Sequence, residues 1–191
     1  MLLRAAILCV VAMPLAGFSQ VHSLTLGIDV NSPYGLSEPW FTIRNALLRC
    51  PDIATVAEQA DRKSATGEVT TKNGQLPELV KLENLIRESG AGATLRGVEA
   101  VIEGDLLQVQ SKWHLRFSGK DIPLQPVTVL VQQERKKPRP PTDEELNAYE
   151  RLLAKPPKRV RVTGPLRSSP ALALEVRAFE SEKLNNSQRK L

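Results

Sequence analysis

IRNALLRCPDIATV, residues 43–56, is the stretch on which the fold turns. Ile43, Ala46, Leu47 and Cys50 fall at the i, i+3, i+4, i+7 spacing that gathers apolar groups on one helical face. Pro51 then removes the donor that a further turn would need. The spacing predicts a helix ending there and a strand from Ile53 to about Gln59. Upstream, Leu24–Val30 (LTLGIDV) alternates as a first strand, and NSPYG supplies turn residues. Ser37 is placed to cap the helix, with Pro39 tolerated in its first turn. Downstream, Glu68–Thr71 reads as a short third strand and Asn73-Gly74 as a turn. Pro77–Ser89 follows as a second helix with Leu79, Leu82 and Ile86 on one face and Gly90 placed to end it. Thr94–Glu103 is then a strand whose Val98, Ala100 and Ile102 share one side.

Strand, helix, strand, strand, helix, strand is the order of a ferredoxin-like βαββαβ unit, expected over residues 24–103. The run Ala46-Leu47-Leu48-Arg49-Cys50-Pro51-Asp52-Ile53-Ala54-Thr55-Val56 resembles the A-L-x-x-L-P-G-V-x-x-V stretch of heavy-metal-associated domains, and Ile43 matches the apolar residue three before the alanine. Cys50 takes the leucine position and Asp52 the glycine position. Domains of that family carry Cys-x-x-Cys before the first helix, because two thiolates hold a soft ion such as Cu(I). The matching loop here, NSPYGLSEPW (residues 31–40), has neither cysteine nor histidine. The resemblance therefore implies the scaffold without the metal site, and no cofactor is expected.

A second pattern begins after Gly104. Asp105–Gly119 (DLLQVQSKWHLRFSG) reads as a hairpin with Trp113, Leu115 and Phe117 on one face, and IPLQPVTVLVQ, residues 122–132, as another extended segment. KKPRPP, residues 136–141, is a stiff basic connector. Thr142–Ala154 is a helix opened by a Thr142/Glu145 capping box, with a stripe of Leu146, Tyr149 and Leu153 and with Leu152 beside it. Arg159–Gly164 and Leu172–Phe179 finish as alternating strands. Three strands, one helix and two strands predict an OB-like five-stranded β-barrel over residues 97–180. The strand through Val98–Ile102 closes the first unit, opens the second, or serves both. Residues 181–191 are polar and read as a disordered tail.

Composition bounds the rest. At 191 residues, 41% hydrophobic and 25% charged, the chain has room for one or two compact units, and two are favoured. Aromatics are only 4%, so the core must rest on Leu, Val, Ile and Ala. Residues 1–19 combine an early Arg4, the apolar run AAILCVVAMPLAG and small residues suited to cleavage after Ser19 or Ser23, which is the pattern of a secretory signal. The run is shorter than the roughly 20 apolar residues of a membrane span, which leaves an uncleaved anchor as the alternative. Processing would remove Cys9 and leave Cys50 without a disulfide partner.

Charge is uneven. Residues 24–96 carry eight basic and nine acidic side chains, whereas residues 134–161 carry nine basic and five acidic. Arg135, Lys136, Lys137, Arg139, Lys158, Arg159 and Arg161 are thus the candidate polyanion-binding residues, with Trp113 and Phe117 as candidate stacking groups. A solvated loop and a packed barrel core account for both sets, and export argues against a nucleic-acid partner. Cys50 sits where a packing residue belongs, and His114 lies on the solvent side of its strand, with His22 near a frayed terminus. Glu99, Glu103 and Asp105 share a strand face at about 7 Å per step, which suits paired acids but equally a solvated sheet face. No phosphate loop, nucleophile elbow or catalytic triad pattern is present, and no small-molecule substrate is evident. These observations lead to an exported, non-enzymatic binding or assembly protein of the cell envelope. An envelope protein is the expected partner, and the basic connector leaves peripheral membrane contact open. The alternatives are a degenerate metal-binding protein and a polyanion binder.

Overall fold

The computed structural model describes residues 19–128, 137, 139–168 and 171–181. The expectations for residues 1–18, the polar tail after Ser181, and Arg135 and Lys136 lie outside them. The chain is mixed α+β, mostly sheet with few helices. It starts β1 (Gln20–Val30), α1 (Trp40–Leu47), β2 (Ile53–Val56), β3 (Thr66–Thr71), a 3-10 turn (Lys72–Gly74) and α2 (Leu79–Arg87). It continues β4 (Ala93–Val109), β5 (Lys112–Phe117), β6 (Lys120–Pro126), α3 (Asp143–Leu146), α4 (Ala148–Ala154), β7 (Arg159–Arg167), β8 (Ala173–Val176) and β9 (Ala178–Ser181).

All nine strands form one sheet, in the order β2-β3-β1-β4-β5-β6-β8-β7-β9, and β4 also pairs with β7. That extra pairing closes β4, β5, β6, β8 and β7 into a five-stranded barrel. Its pairs are antiparallel except β6 with β8, which run parallel. β2, β3 and β1 extend from the free side of β4 as an antiparallel sheet. β4 is the member common to both halves: it pairs with β1 over residues 93–103, with β7 over 98–105 and with β5 over 105–109. The composition change after Gly104 therefore falls inside one continuous strand.

Burial follows the predicted faces where the pattern is strongest. Ile43, Ala46, Leu47 and Cys50 are buried, as are Leu82 and Ile86 of α2 and Val98, Ala100 and Ile102 of β4. One apolar cluster runs from Val21 through β4 to Val176, joining the two halves. Leu115 and Phe117 are buried in the core, so Phe117 packs rather than stacks on a ligand, while Trp113 is half-buried on the same strand face.

Several local expectations need correction. Pro39, not Ser37, occupies the N-cap of α1, and no side chain caps it. β2 stops at Val56 rather than near Gln59, because the chain turns away into a loop closed by hydrogen bonds between Asp61 and Thr66. The predicted helix over 142–154 is two short helices hinged at Asn147, although its capping box is present. Its buried face is Glu145, Ala148 and Leu152, so the predicted stripe is displaced: Leu146 is 43% exposed while Leu152 is fully buried.

The predicted strand over Leu172–Phe179 is broken at Arg177 into β8 and β9, which pair with different stretches of β7. Gly164 of β7 makes that lap possible. A Cβ there would sit 1.7 Å from the Glu175 carbonyl oxygen, so only glycine lets the two backbones approach.

Candidate functional site

Among the described residues a groove of about 850 Å³ crosses the outer side of β5 and β6. One end is the β4–β5 turn, where Gln110 and Ser111 both adopt positive φ, 49° and 66°. A two-residue hairpin turn whose twist matches its strands needs left-handed backbone at both positions and usually recruits Asn-Gly. Two side-chain-bearing residues hold that strained geometry here, and both line the groove. The floor comes from Lys112 and His114 of β5 and from Pro123 to Pro126 of β6, while Leu115 and Ile122 point into the core. The far wall is Tyr149 of α4 with Leu172 and neighbours from the β7–β8 connection.

The groups inside are mostly committed. Glu175 is only 2% exposed, and both carboxylate oxygens are used: Arg167 donates from Nε at 2.9 Å and from Nη2 at 3.0 Å, and Thr128 donates its hydroxyl at 3.1 Å. The His114 ring is tethered through Nδ1 to the Lys112 carbonyl at 3.1 Å. Ser111, His114 and Glu175 thus share the groove, but no hydrogen bond among the described residues links them as nucleophile, base and acid. What the groove offers is apolar surface (Val109, Pro126, Leu172) interleaved with amides and hydroxyls, with the exposed Lys112 beside them.

The five described members of the predicted polyanion-binding set lie elsewhere. Lys137 and Lys158 are exposed. Arg139 donates twice to Glu145, at 2.7 and 2.8 Å. Arg159 donates to Glu103 at 2.7 Å, while Arg161 reaches Glu103 at 3.2 Å and Glu180 at 3.4 Å. Three of the five described cations are thus already paired with carboxylates, and none of the five lines the groove.

The expected solvated acidic face is overturned for Glu99 and Glu103. Glu103 is largely buried and also meets His22 at 2.8 Å, so His22 is fixed in β1 rather than frayed. Burial alone would raise the Glu103 pKa, but hydrogen bonds from His22, Arg159 and Arg161 outweigh it and hold the carboxyl at about 2. Glu145 is likewise held at about 2, first by Arg139 and then, against the opposing effect of burial, by Thr142. Glu99 pairs with Arg177, and Arg177 also approaches Glu145 at 3.5 Å. Glu99 Oε2 and Arg177 Nε have no hydrogen-bond partner among the described residues.

Asp105 is half-buried opposite Arg116 and Arg159. Sequence reasoning does not single out Glu175, Arg167 and Arg177, because Arg167 meets Glu175 across the β7–β8 pairing and Arg177 meets Glu99 across 78 positions, and neither leaves a mark in local spacing.

Cys50 is a buried free thiol with Sγ 3.9 Å from Asp52. Among the described residues, no three of His, Cys, Asp or Glu gather as metal ligands, and no helix is long and apolar enough to cross a membrane. No protein-family model matches the chain, and neither the curated proteins nor the solved structures contain a match to it.

Proposed function

We propose that this is an exported, non-enzymatic binding or assembly protein of the cell envelope, and that its barrel is an OB-like module recognising a protein partner through the β5–β6 groove. The groove carries the reading. Three strands, a helical segment and two strands, joined in the barrel order β4-β5-β6-β8-β7 with β6 parallel to β8, support the OB-like assignment. In such barrels the second and third strands and the connections flanking them are the usual binding surface, which here means β5, β6, the β4–β5 turn and the β7–β8 connection. The sheet order β2-β3-β1-β4, antiparallel throughout with two helices between its strands, supports a ferredoxin-like reading of the first half. That half serves as scaffold, without the thiolates of heavy-metal-associated domains. Mixed apolar and amide chemistry with a single aromatic suits a polypeptide better than a stacked nucleic acid strand, and the arginines closed on Glu103 and Glu145 weigh against a polyanion.

The test is site-specific photo-crosslinking in the envelope from Gln125, with the exposed Glu83 as control. The expected result is a defined protein adduct from Gln125 that disappears when Ser111→Trp fills the groove, with folding unchanged. Adducts that survive the filled groove, or that match those from Glu83, would refute the reading.

A further inference from the structure

We propose that the mature chain begins at Gln20, through cleavage of the Ser19–Gln20 bond rather than the bond after Ser23. The inference rests on the export reading above and narrows it to one bond. The step is a hydrolysis: the C–N bond breaks, the hydroxyl of water goes to the Ser19 carbonyl carbon and a proton goes to the Gln20 nitrogen.

Residues 20–23 are integral to the sheet. Gln20 pairs opposite Glu103 and Val21 opposite Ile102, and Val21, 3% exposed, belongs to the core. His22 is one of three residues that donate to or meet the Glu103 carboxylate. The 3-10 turn closes directly on Gln20, since a Cβ on Gly74 would lie 2.3 Å from the Gln20 Cβ. A cut after Ser23 discards that core side chain, the first rungs of the β1–β4 ladder and a partner of Glu103.

A cut after Ser19 loses far less. Among the described contacts, Ser19 supplies one carbonyl, 3.3 Å from the Ser118 hydroxyl, and the same hydroxyl also lies 3.4 Å from the Gly74 carbonyl. The residues flanking each bond agree. Cleavage after Ser19 places the small Gly17 and Ser19 at the two recognition positions, whereas cleavage after Ser23 places the branched Val21 at one of them. Export processing acts on an extended chain, so the folded strand blocks neither bond; the two products differ in what they can rebuild.

The test is expression of the full chain with its own N-terminus in a Gram-negative bacterial host. The protein recovered outside the cytoplasm is identified by mass spectrometry of its N-terminal peptide. The expected peptide begins Gln-Val-His, as free glutamine or cyclised with loss of ammonia. A mature chain starting at Leu24, or at any residue other than Gln20, overturns the inference while leaving export standing. A chain that keeps Met1 in every fraction overturns the export reading itself. Ser19→Trp provides a second arm: uncut precursor is expected to accumulate, and recovery of a chain starting at Leu24 that melts at the wild-type temperature would overturn the argument.

Discussion

Glu103 and Glu145 sit among arginines that favour their charged forms. Both carboxyls are held at about 2, against 4.5 for an ordinary glutamate. Between pH 4.5 and 2 the unfolded chain binds protons that the folded chain refuses, so stability is full above about 4.5 and declines as pH falls toward 2. Each group contributes on the order of 3 kcal/mol to that decline. Glu103→Gln should therefore cost roughly 3 kcal/mol at pH 7, where Arg159 and Arg161 lose their counter-charge, and much less at pH 3. Urea unfolding of both proteins at the two pH values measures this, and parallel pH curves would contradict it. Gly164→Ala is the complementary test of packing. With 1.7 Å available to its Cβ, the variant should lose more than about 3 kcal/mol or fail to fold, whereas Gly90→Ala meets no neighbouring atom and pays only for its left-handed backbone.

Among the elements, the β4–β5 turn and the α3 cap make opposite predictions. Gln110 and Ser111 occupy left-handed backbone that glycine adopts without steric cost. Ser111→Gly should raise stability by about 1 kcal/mol, read as a shift in the denaturation midpoint. If the groove binds a partner, the same change should weaken crosslinking from Gln125, because stability and recognition compete at this turn. Thr142→Ala should lower stability by about 1 kcal/mol, since it removes one half of the capping box that also orients Glu145 toward Arg139. The break at Arg177 shows why a strand pattern can mislead. LALEVRAF carries no turn residue to mark a break, yet β7 pairs with it in two separate stretches, and the kink sends the Arg177 guanidinium to Glu99 and Glu145.

For the molecule as a whole, β4 ties the open sheet to the barrel through one backbone and one continuous core. The two tryptophans report on the two halves, Trp40 from α1 and Trp113 from β5. Single-tryptophan proteins made by Trp40→Phe or Trp113→Phe should show their transitions at the same denaturant concentration once each is corrected for its own stability by circular dichroism. Two separated midpoints would mean that the halves unfold independently. The order of elements through β6, the mixed class with its five-stranded barrel, the buried faces of α1, α2 and β4 and the Thr142 cap were all legible in the sequence. Each follows from spacing of 2 or 3.6 residues or from a side chain that bonds its own neighbours. What only the tertiary structure decided is the length of β4 past Gly104, the break at Arg177, the commitment of Arg139, Arg159 and Arg161 to Glu145 and Glu103, and the groove. Arg159 and Arg161 meet Glu103 across 56 and 58 positions and Arg177 meets Glu99 across 78, and local periodicity carries no information about which strand lies opposite which.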